Sequence, residues 1–450
     1  MDLIVQPQRA PLRGIVPVPA DKSITHRAIL FAALADGTSR VVAESAGEDN
    51  RSTLAAIRAL GVEAEVGASE MTISGRGLEG LREPAAPLDC GNSGTTMRLF
   101  AGVLAAQRFR SVLVGDESLS KRPMARVATP LRLRGARIEG RLDPKRPGDL
   151  TAPLEIGPLP APHVLSEISY DLPIPTAQVK SALLLSGLWA AGATSVSEPL
   201  VSRDHTERML SSLGVPIERV GSVVALDPAA FSGRLPAFEI KVPGDPSAAA
   251  FLVAAALLVP GSEVGVRSVG LNPTRTGFFD LVRLMGGQLA AQAHGDEVGE
   301  PFGEIAARHG GLVAVSAGGE TVVRAIDEIP VLCALAARAR GTTIIADARE
   351  LRVKESDRIA AMATVLRAFG VACEEQPDGM VIEGNPDGPL RAATVDAASD
   401  HRIAMSAALL GLVADGESRV TGADSIATSF PRFAGTLRAL GADVRAVSSG

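Results

Sequence analysis

The chain has 450 residues, of which 46% are hydrophobic and only 3% aromatic, enough for sizeable cores in two or more domains. A formal net charge of -6 and a pI near 5.7 argue against a nucleic-acid partner, which would favour a basic face, but leave room for a local basic pocket. Cys90, Cys333 and Cys373 form no C-x-x-C pairing, so neither a disulfide framework nor a zinc site is indicated.

The opening segment "MDLIVQPQRAPLRG" lacks the apolar core of a signal peptide. A soluble cytoplasmic protein without membrane association is expected. Next comes "VPADKSITHRAIL", from Val18 to Leu30, which is echoed much later by "VPGDPSAAAFLVA", from Val242 to Ala254. Both read Val-Pro-small-Asp-x-Ser before an apolar, helix-like run. Asp21 or Ser23 is a fitting N-cap, and Lys22, Ser23 and Arg27 at a helix N-terminus form an anion site, most naturally for phosphate. Lysine is scarce: of 45 basic residues only Lys22, Lys121, Lys145, Lys180, Lys241 and Lys354 are lysines, and four of them fall in such motifs.

The polar clusters that follow sit at similar places. "DCGNSGTTMR" is a Gly-rich turn around Gly94 opening a helix, without the Gly-Lys-Ser/Thr of a Walker loop. "SLSKRPM" carries Lys121 and Arg122, "PTAQVKSALLL" carries Thr176, Gln178 and Lys180, and "VSRDHTERML" carries Arg203 and His205, the last read as part of a cap. The run "AAAFLVAAALLV" stops at Pro260, too short for a bilayer, and reads as a buried helix. "RAIDEIPVL" then places Asp327 and Glu328 before an apolar helix. "LRVKESDRIAA" crowds Lys354, Glu355, Asp357 and Arg358 together, and "SDHRIAMSAALLG" supplies Asp400, His401 and Arg402. Each alone also reads as an ordinary charged helix end. Together they predict a strongly anionic ligand with Asp327 and Glu355 as candidate general acid/base groups, and no metal constellation.

A period underlies these motifs. A helix-like stretch ending at a stop glycine, then a strand-like segment, recurs with Gly61, Gly135, Gly214, Gly286, Gly370 and Gly441. The spacing implies six α/β units of about 75 residues. The Val-Pro-x-Asp-x-Ser echo opens each set of three, so the chain divides into two lobes. The expected boundaries are 21–241 for one lobe and 1–20 plus 242–450 for the other, with the active site in the cleft between them.

Eleven stretches in order, "DKSITHR", "GNSGTTMR", "SKRPM", "TAQVKSALLL", "RDHTE", "VPGDPSAAAF", "NPTRTG", "IDEIP", "LRVKESDRI", "DHRIAMS" and "IATSFP", resemble the 5-enolpyruvylshikimate-3-phosphate (EPSP) synthase family over nearly the whole chain. The resemblance implies a two-lobed inside-out α/β barrel of six βαβαββ-like units, three per lobe. It implies transfer of the enolpyruvyl group of phosphoenolpyruvate to the 5-hydroxyl of shikimate 3-phosphate, releasing phosphate, by a monomer needing no metal or organic cofactor. Carried over by motif, Lys22, Ser23, Arg27, Thr176, Gln178, Arg203, Asp327 and Lys354 would hold shikimate 3-phosphate. Lys22, Gly94, Arg122, Gln178, Arg358 and Arg402 would surround phosphoenolpyruvate, where the inhibitor glyphosate also binds in this family. Asp327 would take the proton of the attacking hydroxyl, Glu355 would protonate the methylene carbon, and Lys22 would assist. Arg203 and Thr428 depart from many members and are similar to the class II bacterial branch, whereas Gly94 stands where that branch commonly has alanine. Two rivals are UDP-N-acetylglucosamine enolpyruvyl transferase, which usually carries a reactive Cys in the loop matching "ESLSKRPM", and a non-catalytic anion-binding repeat protein.

Overall fold

The computed structural model describes residues 1–44 and 47–448. They form two compact units. One comprises Met1–Pro19, Pro243–Gly295 and Pro301–Gly450; the other comprises Ala20–Val242 and the hairpin tip Asp296–Glu300. Each unit has a hydrophobic core of its own.

Three sheets belong to each unit, and all six repeat one plan. The unit around Gly94 shows it clearly. Strand Leu88–Asp89 leads to helix Gly94–Leu104 and a parallel strand, Ser111–Val114. Helix Ala125–Leu133 and the antiparallel strands Ile138–Leu142 and Leu150–Ile156 complete it. In each repeat one helix is apolar nearly all round and buried, as such helices must be. Every one of the 13 residues of helix Pro246–Leu258 is buried, as are the 12 of His401–Leu412 and the 8 of Ile329–Ala336. In each unit helices therefore fill the inside and sheets lie outside, the inside-out arrangement that the family resemblance implies. What matters for function is that the buried helices present their N-termini, where the polar motifs stand.

The last helix of each repeat is the one that ends at a stop glycine. Gly61, Gly135, Gly214, Gly286, Gly370 and Gly441 all have φ between 78° and 105°. A side chain at such a φ would be strained, so glycine marks the helix end at every repeat.

The chain termini share in the same plan. Strand Asp2–Val5 pairs antiparallel with Ser418–Thr421 and Val444–Val447, and Arg13–Pro17 pairs parallel with Glu263–Gly270. In the other unit, Leu235–Pro236 and Glu239–Lys241 return to pair parallel with Ala35–Val42. Each unit thus closes by borrowing a strand from a distant part of the sequence.

Candidate active site

In the unit that begins at Ala20, the first helix starts at Lys22. Asp21 is its cap, accepting from the Ile24 amide at 2.9 Å. The Lys22 ammonium lies 2.9 Å from Asp49 Oδ2, and Asn50 Nδ2 donates to the Lys22 carbonyl at 3.0 Å. One turn on, the buried His26 ring contacts Thr53 Oγ1 at 2.6 Å, Thr53 contacts Thr96 Oγ1 at 2.7 Å, and Thr96 N donates to Ser93 Oγ at 3.1 Å. This chain of hydroxyls ties three helices together. Burial, with Lys22 and Arg27 adding to it, holds the His26 pKa well below 6.5. The unfolded chain takes up that proton near pH 6.5 and the folded chain does not. Stability from this site is therefore complete above pH 6.5 and falls by about 1.4 kcal/mol per pH unit below it. Denaturant unfolding from pH 7.5 to 5 should show that slope in the native chain and lose it in His26→Gln; equal slopes would contradict the assignment.

Arg27 is buried and satisfied by neutral acceptors: Thr206 Oγ1 at 2.7 Å, Ser181 Oγ at 2.9 Å and the Ser23 carbonyl at 3.0 Å. Burial lowers its pKa to about 10, Arg203 adding to the decrease while Glu207, Glu300 and Asp21 oppose it. A guanidinium among hydroxyls retains its attraction for an incoming anion. The Ser23 hydroxyl, partly buried, donates to nothing among the described residues. Thr176, at the cap position of helix Ala177–Gly187, makes no side-chain capping bond.

Gly94 opens helix Gly94–Leu104 behind its cap Ser93. A Cβ there would lie 2.8 Å from Arg98 Nη1 and 3.4 Å from Arg122 Nη1, so two guanidinium groups crowd the space a side chain would take. Arg98 reaches Gln178 Oε1 and the Pro123 carbonyl, Gln178 Nε2 donates to Thr95 Oγ1, and Arg122 Nη2 donates to Asn92 Oδ1 at 2.7 Å. Lys22, Ser23, Arg27, Gly94, Arg122, Thr176, Gln178 and Arg203 are thus all at or beside the helix starts of this unit.

The other unit assembles a second cluster. Asp327 Oδ1 is 3.4 Å from Lys354 Nζ and 3.2 Å from Arg358 Nη1, and its Oδ2 is 3.8 Å from Arg402 Nη2. Arg358, 1% exposed, also donates to Glu355 Oε2 at 2.7 Å and grips Asp400 through Nε at 2.8 Å and Nη2 at 3.3 Å. Burial alone would lower the Arg358 pKa, but Asp400, Glu355 and Asp327 outweigh it and raise it above the ordinary value. Burial would likewise raise that of Asp400, yet Arg358 outweighs it and holds the carboxyl below its usual range. Asp400 also caps helix His401–Leu412 by accepting from the Arg402 amide at 2.9 Å. Arg402 Nη1 is buried with no hydrogen-bond partner among the described residues, an orphan donor that suits an anionic ligand.

The structure alters two readings. Lys180, seen as part of an anion motif, is fully buried and paired with Glu198 at 2.6 Å and Glu207 at 2.8 Å. Its long stem carries the charge inward, to carboxylates that sequence spacing does not announce. His205 is no cap: Asp204 holds that position, and the His205 ring contacts Glu300 at 2.8 Å. Asp49 and Arg98 escape the sequence reading, and Asp400, named there as part of a charged helix start, gives no sign in the sequence of its contact with Arg358. Only Arg98 had a local signal, standing four residues after Gly94 and so on the same helix face.

No cysteine is placed as a nucleophile: burial pushes the Cys333 thiol up to about 12 and raises Cys90 and Cys373 as well. Among the described residues no group of three or more His, Cys, Asp or Glu could hold a metal ion.

Residues 6–437 match the family described as EPSP synthase (3-phosphoshikimate 1-carboxyvinyltransferase). The chain belongs to the EPSP synthase family. It is 50% identical to the 3-phosphoshikimate 1-carboxyvinyltransferase of Geobacter sp. strain M21, over 96% of this chain and 97% of that one. It is 48% identical to the protein of that name from Geobacter sulfurreducens, over 97% and 98%. The solved EPSP synthase from Acinetobacter baumannii is 40% identical, covers the whole of both chains and superposes with a TM-score of 0.86. Membership accounts for two units of three repeats each. The activity is the family's, carboxyvinyl transfer to 3-phosphoshikimate in the shikimate pathway.

Proposed function

We propose that Asp327, Glu355 and Lys22 carry the chemistry of this transfer, and that the clusters of both units serve one reaction. Two carboxylates, Asp327 and Glu355, bonded to a single buried guanidinium, Arg358, support the reading most strongly. An anion that shares Arg358 and Arg402 weakens their hold on those carboxylates, making both better proton acceptors when substrate is bound. Asp327 takes the proton of the 5-hydroxyl as it attacks C2 of phosphoenolpyruvate. Glu355 delivers a proton to the methylene carbon, giving a tetrahedral adduct, and takes one back as phosphate departs.

Ser23, Arg27, Thr176, Gln178, Arg203 and Lys354 join Lys22 and Asp327 in holding shikimate 3-phosphate. Gly94, Arg122, Arg358 and Arg402 join Lys22 and Gln178 around phosphoenolpyruvate. The hydroxyl-lined Arg27 and the orphan donor of Arg402 support this division. Arg203 and Thr428 favour the class II branch. The family resemblance also supports reading the protein as a cytoplasmic monomer; among the described residues no helix is long and apolar enough to cross a membrane.

Gly94→Ala tests the phosphoenolpyruvate side of the reading. The backbone accepts alanine at this helix start, so folding is unharmed. The methyl instead displaces the ends of Arg98 and Arg122. Losing one charged hydrogen bond predicts a rise of about tenfold in the phosphoenolpyruvate KM. Glyphosate, being longer, should lose more. Equal losses would show that Gly94 does not discriminate between the two ligands, and no loss would remove it from the site.

A further inference from the structure

The two Val-Pro-x-Asp-x-Ser segments differ in what their serine does. Asp21 and Asp245 both cap a buried helix. Ser23, in the first copy, has a hydroxyl bonded to nothing among the described residues. Its counterpart Ser247 donates to Glu328 Oε1. Pro246 replaces Lys22, and the cation comes from elsewhere: Arg275, 2% exposed, donates through Nη2 to Ser247 Oγ at 2.9 Å and Asp245 Oδ1 at 3.1 Å, and lies 3.9 Å from Glu328 Oε1. The second copy is therefore an anion site that holds a carboxylate of the same chain.

Glu328 is 1% exposed and is the cap residue of helix Ile329–Ala336, yet its side chain makes no capping bond. Burying a carboxylate is costly unless it is paired, and Ser or Asn would cap the helix start without a buried charge. The placement has a second consequence. Asp327 is the residue immediately before Glu328, in the short turn between helices Gly319–Ala325 and Ile329–Ala336. Neighbouring residues share a peptide plane, so anchoring Glu328 fixes the direction in which Asp327 points. The Glu328 backbone is held too, its amide donating to the Ala325 carbonyl at 2.8 Å and its carbonyl accepting from Leu332 at 2.9 Å. Asp327 must sit 3.2 to 3.8 Å from three cations on other segments, a geometry that a loose turn would not keep.

We propose that Glu328, clamped by Ser247 and Arg275, is a positioning residue that aims the Asp327 carboxylate at the attacking hydroxyl. The inference rests on Asp327 as the base. A misplacement of the order of 1 Å costs about a hundredfold in rate, and removing the charge of Glu328 should cause part of it. The test is a double-mutant cycle in kcat, with KM for both substrates and the melting temperature recorded alongside. Glu328→Gln should lower kcat by at least about tenfold with little change in either KM. In an Asp327→Asn background the same substitution should change kcat less than about twofold. Equal factors in both backgrounds would overturn the proposal, as would an unchanged kcat in Glu328→Gln. If Asp327→Asn alone keeps native turnover, the reading of Asp327 as base fails and the proposal with it, an outcome read from that single variant. Should Glu328→Gln not fold by circular dichroism, Ser247→Ala, which removes only the donating hydroxyl, takes its place in the cycle with the same expected and overturning results.

Discussion

Glu355→Gln should bind both substrates nearly as tightly as the native enzyme and turn over at least about a hundredfold more slowly, the usual scale for a positioned acid/base. Glutamine keeps the shape and can still accept from Arg358 Nη2, now 2.7 Å from Glu355 Oε2. Arg358 also retains Asp400 and Asp327, so the cluster stays assembled. What disappears is a group able to carry a proton to and from the methylene carbon. Solvent deuterium should accordingly cease to enter that methylene during turnover. A variant with near-native turnover would remove Glu355 from the mechanism.

Arg358→Lys keeps the charge and should still fail. One guanidinium reaches three carboxylates, with a two-pronged grip on Asp400 that a single ammonium cannot reproduce. Asp400 is fully buried, so weakening its partner leaves a buried charge undercompensated, at a cost of about 3 kcal/mol. Turnover should fall about a hundredfold or more as Asp327 and Glu355 lose their common anchor. The pH dependence has a definite sign. Arg358 holds the Asp400 pKa down against burial, so native stability from this pair is present at neutral pH and lost as acid protonates Asp400. In the variant burial prevails and that pKa moves up. The stability deficit is therefore largest at neutral pH and shrinks on acidification. A deficit that grows with acid, or native kinetics, would show that charge alone matters at this position.

Local signals made much of this legible. Stop glycines, cap residues and apolar helices are decided within a few residues, and all six glycines have the left-handed backbone their position requires. The Val-Pro-x-Asp-x-Ser echo marked two equivalent helix starts. What the sequence could not display are contacts made by long side chains across repeats. Asp49 meets Lys22 and Asp400 meets Arg358 through packing of separate helices. Lys180 looked like a ligand-facing cation because its neighbours Thr176 and Gln178 line a helix start, but its ammonium is turned to Glu198 and Glu207 inside the core. Glu328 read as one of two acids before a helix; only the fold shows that it is clamped to a serine far away in the chain.

The most direct test is phosphate release from phosphoenolpyruvate, measured with shikimate 3-phosphate and, separately, with UDP-N-acetylglucosamine as acceptor. The account predicts phosphate in equal amount to 5-enolpyruvylshikimate 3-phosphate with the first acceptor and none with the second. Release with the second acceptor alone, or with neither, would contradict it.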